Sequence, residues 1–186
     1  MKGIYLLGAT GSIGKQTLDI IQKQSKDFKL VAISGYTDFE GLVQITQTFQ
    51  PEMVVVKDEA DAKAFKALFS SVKVAFGRQG LVELATLYPE DKEAYLVNAL
   101  VGMVGLEPTI EAIKIQRNIL LANKETLVVG GHLIQSLRKK YKVNLYPIDS
   151  EHNALWQLLD NKNNQDIKRL IITASGGSFR ALDRPA

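Results

Sequence analysis

Four short stretches of the chain hold residue types at spacings that could do chemistry. The first is Gly8-Ala9-Thr10-Gly11-Ser12-Ile13-Gly14, a Gly-x-x-Gly-x-x-Gly run that directly follows an apolar segment. Gly8 and Gly11 would let the backbone turn and approach a pyrophosphate, and Gly14 would let a helix pack closely on a strand. Free amides at a helix start, with the Thr10 and Ser12 hydroxyls beside them, make an anion site. A glycine loop alone serves equally as a structural turn; its position at the first strand-to-helix junction is what favours a dinucleotide.

The second stretch is Asn123-Lys124-Glu125, after the apolar run Ile119-Leu120-Leu121. It also reads as a polar turn opening a helix, with Glu125 favourable at the positive end. The third is Asp149-Ser150-Glu151-His152-Asn153. Asp149 and Glu151 are two apart, so in extended or turn geometry both carboxylates can face one point, an arrangement that suits Mg²⁺ or Mn²⁺. The same residues suit a helix N-terminus, with Asp149 or Ser150 as cap, and His152 suits a structural hydrogen bond. The fourth is Thr173-Ala174-Ser175-Gly176-Gly177-Ser178-Phe179-Arg180, where paired glycines flanked by hydroxyls can cradle a phosphate or form a turn.

The end of the second apolar run should choose between NAD and NADP, through an acid for the ribose hydroxyl or an Arg for the 2′-phosphate. Ser34-Gly35-Tyr36-Thr37-Asp38 offers no Arg or Lys, and Asp38 sits far enough on to be a helix cap, so both cofactors stay open. Tyr88 and Lys92 match a Tyr-x-x-x-Lys dehydrogenase pattern. Pro89 would have to be a first-turn residue, which leaves Tyr88 outside the helix, and the match reads as accidental.

The elements that must position these groups follow from the hydropathy pattern. Val-, Ile- and Leu-rich runs end at Leu7, Ser34, Val56, Phe76, Ala99, Leu121 and Ile148. Segments of helical period lie between them, over residues 12–24, 40–49, 61–69, 80–87, 106–116 and 128–140. In the first of these Ile13, Thr17, Ile20 and Ile21 form the apolar face. Strands apolar along their length imply a sheet covered on both faces, as parallel βαβ units provide. The expected fold is α/β, a Rossmann-like, doubly wound, mostly parallel sheet. Character changes near Pro147: a helix over residues 150–159 and a strand over 167–173 suggest a second, α+β domain. The expected domains are 1–149 and 150–186.

Composition narrows the classes further. In 186 residues, 46% are apolar and 23% charged, which excludes disorder. No cysteine is present, so disulfides, Cys-ligated metals and thiol nucleophiles are excluded. A net charge of +3 is too small to imply nucleic acid, and the basic run Arg138-Lys139-Lys140-Tyr141-Lys142 falls where a helix should end. No stretch approaches the ~20 apolar residues of a membrane span. A soluble, cytoplasmic protein with no membrane partner is the default expectation.

Taken in this order, residues 8–14, 100–109, 121–128, 147–154 and 173–180 resemble the 1-deoxy-D-xylulose 5-phosphate reductoisomerase family across essentially the whole chain. Asn-Lys-Glu together with Asp-Ser-Glu-His-Asn is far more specific than the glycine loop. The resemblance implies a reaction of the non-mevalonate route to isoprenoids: rearrangement of a small phosphorylated sugar at Mg²⁺ or Mn²⁺, then reduction by NADPH to 2-C-methyl-D-erythritol 4-phosphate. It implies that Thr10, Gly11, Ser12, Ile13, Gly35 and Asn123 contact cofactor, with Glu125 at the cofactor–substrate junction. It implies Lys124, Ser150, Glu151 and Ser175 for substrate, Asp149 and Glu151 for metal, Lys124 and Glu151 as catalytic, and a homodimer for the complete enzyme. Two departures stand out: Tyr36-Thr37 where the family has a basic or amide residue after the glycine, and Ser178 where it has proline. Family members run about twice this length, so the chain reads as an incomplete, catalytically impaired piece, the alternative being a non-catalytic dinucleotide-binding module.

Overall fold

The computed structural model describes residues 1–160 and 162–172. They belong to two compact units that divide between Asp149 and Ser150. In the first unit seven strands, β1 (Lys2–Leu7), β2 (Phe28–Ser34), β3 (Met53–Val56), β4 (Lys73–Phe76), β5 (Tyr95–Asn98), β6 (Asn118–Leu121) and β7 (Leu145–Pro147), alternate with six helices. These are α1 (Ser12–Lys23), α2 (Phe39–Phe49), α3 (Glu59–Leu68), α4 (Gly77–Thr86), α5 (Leu106–Lys114) and α6 (Lys124–Tyr141). Every neighbouring pair is parallel, in the order β4-β3-β2-β1-β5-β6-β7. This is the doubly wound, Rossmann-like sheet expected. Pro147 is tolerated because β7 is an edge strand, where one side of the backbone needs no ladder partner.

Strand alternation sorts the core into two layers. Ile4, Leu6, Ile33, Val54, Val56 and Val97 point to the face covered by Leu18, Ile21, Leu42 and Phe65 of α1, α2 and α3. Tyr5, Leu7, Val55, Leu96, Ile119 and Leu121 point to the other, covered by Leu81, Leu84, Ala112, Ile113 and Ile134 of α4, α5 and α6. That division is what right-handed crossovers produce when the chain winds outward from β1 twice, in opposite directions. The order therefore reverses between β1 and β5, and the crevice where ligands sit in such sheets opens above their carboxyl ends.

Three sequence expectations need correction. The buried stripe of α1 is Gly14, Leu18 and Ile21, whereas Ile20 is exposed. Ile13, Thr17, Ile20 and Ile21 instead flank a groove over Ile4, Val97, Leu120 and Ile148, because the helix covers only part of that sheet face. Helices α3, α4 and α6 begin two to four residues earlier than the apolar period indicates, since their first turns are polar. Residues 167–172 carry no strand, and Leu170, Ile171 and Ile172 are exposed. A β-rich composition becomes a strand only where a neighbour supplies a ladder, and none does among the described residues.

The described part of the second unit consists of α7 (Ser150–Leu159) and a single 3₁₀ turn at Asn164–Asp166. The basic run closes α6 as expected, with Lys142 in left-handed conformation at its C-cap. Among the described residues no helix is long and apolar enough to cross a membrane.

Candidate functional site

The glycine loop occupies the switch point. Gly8 has φ +82°, and a Cβ there would lie 2.8 Å from the Ala99 carbonyl oxygen at the end of β5. A Cβ on Gly14 would lie 2.2 Å from the Gly8 oxygen and 2.6 Å from that of Ala9, so α1 starts against the loop backbone itself. β2 holds the loop from the other side: Ser34 Oγ accepts from the Gly8 N–H at 3.0 Å and the Ser34 carbonyl from the Ala9 N–H at 2.8 Å. α1 has no side-chain cap and no acid in its first turn. Its leading amides are thus neither capped by a side chain nor neutralised, the condition for attracting an anion. Thr10 and Ile13 are half-buried there while Gly11 and Ser12 are exposed. Gly35 lies beside them, close enough that a Cβ on it would stand 3.4 Å from Thr10 Cγ2.

The Asn123-Lys124-Glu125 stretch is brought to the same edge by β6. Asn123 is buried and caps α6, its Oδ1 accepting from the Thr126 N–H at 2.9 Å and from the Thr126 hydroxyl. Its amide donates to the carbonyls of Leu100 at 2.9 Å and Gly102 at 2.8 Å, and Glu125 Oε1 accepts from the Gly102 N–H at 3.2 Å. Two members of the stretch therefore fix the segment after β5. Buried Asn98 completes the network, donating to the Gly105 carbonyl at 3.0 Å and the Thr109 hydroxyl at 2.9 Å. Asn98 and Ser34 are the residues the sequence reading missed. Their signal was a polar residue closing an otherwise apolar strand.

Lys124, at the first position of α6, reaches Asp149 beyond β7, with Nζ 3.3 Å from Oδ2. The carboxylate is the more buried partner, its side chain 13% exposed against 54% for the lysine. A cation and an oxygen donor thus meet at the carboxyl end of β6 and β7. Ser150 and Glu151 open α7 in the second unit, where the Ser150 hydroxyl donates to Glu151 Oε2 at 2.7 Å. Ser175 lies outside the described residues, as does the rest of 173–180. The described residues contain no group of three or more His, Asp or Glu that could hold a metal.

Tyr88 and Lys92 do not form a dehydrogenase pair. Tyr88 follows α4 with φ +53° and its hydroxyl donates to Glu52 Oε2 at 2.7 Å, whereas Lys92 donates to the Ile115 carbonyl at 2.7 Å. Asp38 is a helix cap, accepting from the Gly41 N–H at 2.8 Å.

A parallel sheet with a glycine loop wedged into its switch point defines the first unit as a Rossmann-type α/β domain of the dinucleotide-binding class. Comparison with known proteins specifies the class. The family profile described as 1-deoxy-D-xylulose 5-phosphate reductoisomerase matches residues 4–131, and that of the C-terminal domain of the same enzyme matches residues 145–186. The chain belongs to the 1-deoxy-D-xylulose 5-phosphate reductoisomerase family. It is 48% identical over 180 residues to the reductoisomerase of Bacillus cereus strain Q1, which covers 97% of this chain and 47% of that protein. The fold superposes on the Zymomonas mobilis enzyme solved with NADPH at TM-score 0.83 and 33% identity, covering 97% of this chain and 47% of the other. A reductoisomerase solved with fosmidomycin and magnesium superposes at TM-score 0.86 and 31% identity, covering 98% and 48%. The chain spans about half the length of the relatives it matches.

Proposed function

We propose that this chain supplies the NADPH-binding unit, residues 1–149, and the start of the metal- and substrate-binding unit, residues 150–186, of a reductoisomerase. That enzyme would convert 1-deoxy-D-xylulose 5-phosphate to 2-C-methyl-D-erythritol 4-phosphate, in the cytoplasm and as a homodimer. The observation that carries the reading is the meeting of Lys124 and Asp149 at the sheet edge that also bears the glycine loop.

The residues present fit the cofactor. Gly14 is required by packing alone, but Gly11 is not: its φ of −74° suits any residue, and a Cβ there would meet nothing closer than 3.5 Å. Glycine at 11 instead leaves the amides open to close approach by a pyrophosphate. Thr10, Ser12 and Ile13 would line that approach, Gly35 the ribose side, and Asn123 and Glu125 the reacting end. Asp149 and Glu151 fit the metal, being oxygen donors of the kind Mg²⁺ and Mn²⁺ select. When bound, the metal polarises the substrate carbonyl and neighbouring hydroxyl, and NADPH supplies hydride.

The chain's own groups then have these tasks. Lys124, placed by the Asn123-capped helix start and steered by Asp149, offers positive charge where negative charge grows on a substrate oxygen. Ser150 and Ser175 would donate hydroxyls to the substrate, and Glu151 would contact it from the metal side. Because the chain spans about half of its relatives, its turnover in isolation is proposed to be low, and binding is the better readout. Calorimetry of 1-deoxy-D-xylulose 5-phosphate into the NADPH-loaded chain should give heat only when Mn²⁺ is present, and Asp149→Asn should remove it. Intact NADPH binding with no metal-dependent response to the sugar would instead identify a dinucleotide-binding module.

A further inference from the structure

The loop after β2 is where a Rossmann domain meets the adenosine ribose, and a cation there recognises the 2′-phosphate. Gly35-Tyr36-Thr37-Asp38 has none. Tyr36 turns inward, packing on the core layer beneath α4, α5 and α6 with its hydroxyl buried, and burial raises its pKa. The Asp38 carboxylate caps α2 through the Gly41 N–H, and Thr37 is exposed. By itself this loop offers a phosphate one hydroxyl and one repelling carboxylate.

The missing counter-charge stands across the groove. Thr10, Lys15, Asp38 and Gly41 line one opening of about 330 Å³ between α1 and α2. Lys15 is the only Lys or Arg among its lining residues, it is exposed, and no salt bridge among the described residues engages it. Helical side chains tilt toward the N-terminus, so a lysine in the first turn of α1 leans back toward the glycine loop. We propose that Lys15, with the Thr10 and Thr37 hydroxyls, holds the 2′-phosphate of NADPH, supplying from α1 the charge that the β2 loop lacks. The proposal rests on the reading of this unit as an NADPH-binding domain. Lys57, after β3 on the same edge of the sheet, sits 4.0 Å from Asp58 and serves as the control.

The test is calorimetric titration of the 186-residue chain and its Lys15→Gln, Lys15→Arg and Lys57→Gln variants with NADPH and with NADH. A charge-assisted contact to phosphate should make the NADPH Kd of Lys15→Gln rise by about tenfold or more, with NADH affinity unchanged and Lys15→Arg close to the parent. Lys57→Gln should behave as the parent does. Equal weakening of both dinucleotides in Lys15→Gln, no weakening of NADPH, or selective loss in Lys57→Gln instead would overturn the assignment of Lys15 while leaving the cofactor reading intact. Failure of the parent chain to bind either dinucleotide would overturn both. Because Lys15 is exposed, unchanged thermal melting of the variants confirms that folding is not the cause.

Discussion

Gly14→Ala should abolish dinucleotide binding and lower stability by about 3 kcal/mol, the upper end of overpacking penalties. The added methyl would sit 2.2 Å from the Gly8 oxygen and 2.7 Å from the Ala9 carbonyl carbon, and both are backbone atoms that cannot rotate away. Relief requires α1 to lift from the loop. The loop cannot follow, because Gly8 is itself wedged against Ala99 and both Gly8 and Ala9 are bonded to Ser34. Displacement of even a fraction of an ångström separates the loop amides from the helix-start amides that must converge on one pyrophosphate. Gly131→Ala is the matched control: a Cβ there meets nothing within 4 Å. It lies within α6, where Ala is favoured over Gly by up to about 1 kcal/mol, so it should stabilise slightly and leave binding alone. Urea unfolding and NADPH calorimetry on both variants check this, and a Gly14→Ala chain that binds normally would show the packing to be dispensable.

Arg117→Met should be the most destabilising change remote from the site. Arg117 is fully buried immediately before β6, its guanidinium 3.7 Å from the Tyr5 ring centroid. It donates to the carbonyls of Ala85 at 2.8 Å, Leu87 at 2.7 Å and Tyr88 at 2.9 Å, so one side chain closes the C-terminal end of α4 and the turn that follows. Burial pushes the Tyr5 phenol up to about 12, which keeps that ring neutral beneath the cation. Methionine fills much of the volume but leaves three carbonyls without their donor in a turn that already carries Tyr88 at φ +53°. A charged donor's hydrogen bond contributes about 1.5–3 kcal/mol, partly offset here by release from burying a charge. A net loss of about 3 kcal/mol follows, or a fall in Tm of about 6–12 °C for a chain of this size. The amino ends of the strands, where Arg117 sits, lie opposite the glycine loop, so NADPH affinity below the transition should not change. A Tm within about 2 °C of the parent would contradict the argument.

Much of this architecture is legible in the chain because its strands are buried on both faces. Runs such as Met53-Val54-Val55-Val56 have no other stable environment, and the strand ends fall within a residue of expectation. Helix starts are less legible. The first turn of α6 is Lys124-Glu125-Thr126, with no apolar stripe, and only its polar signals, the Asn123 cap and the acidic Glu125, mark it. The contacts that tie the candidate site together are not local at all. Ser34 meets Gly8 across 26 residues and Asn123 meets Leu100 across 23, so neither can be read from spacing. The run around Ile171 shows the opposite failure, since composition alone does not make a strand and no neighbour supplies a ladder among the described residues. Lys15 is not legible as a binding residue in the sequence, because a lone exposed lysine on the polar face of a helix is ordinary until the groove around it is known.

The central claim, that these residues form the NADPH-binding half of a reductoisomerase, is tested most directly by titrating the unmodified chain with NADPH and NADH in parallel. Saturable binding of one NADPH per chain, preferred over NADH, is the predicted result. Absence of binding to either dinucleotide, in a chain shown by circular dichroism to be folded, would contradict it.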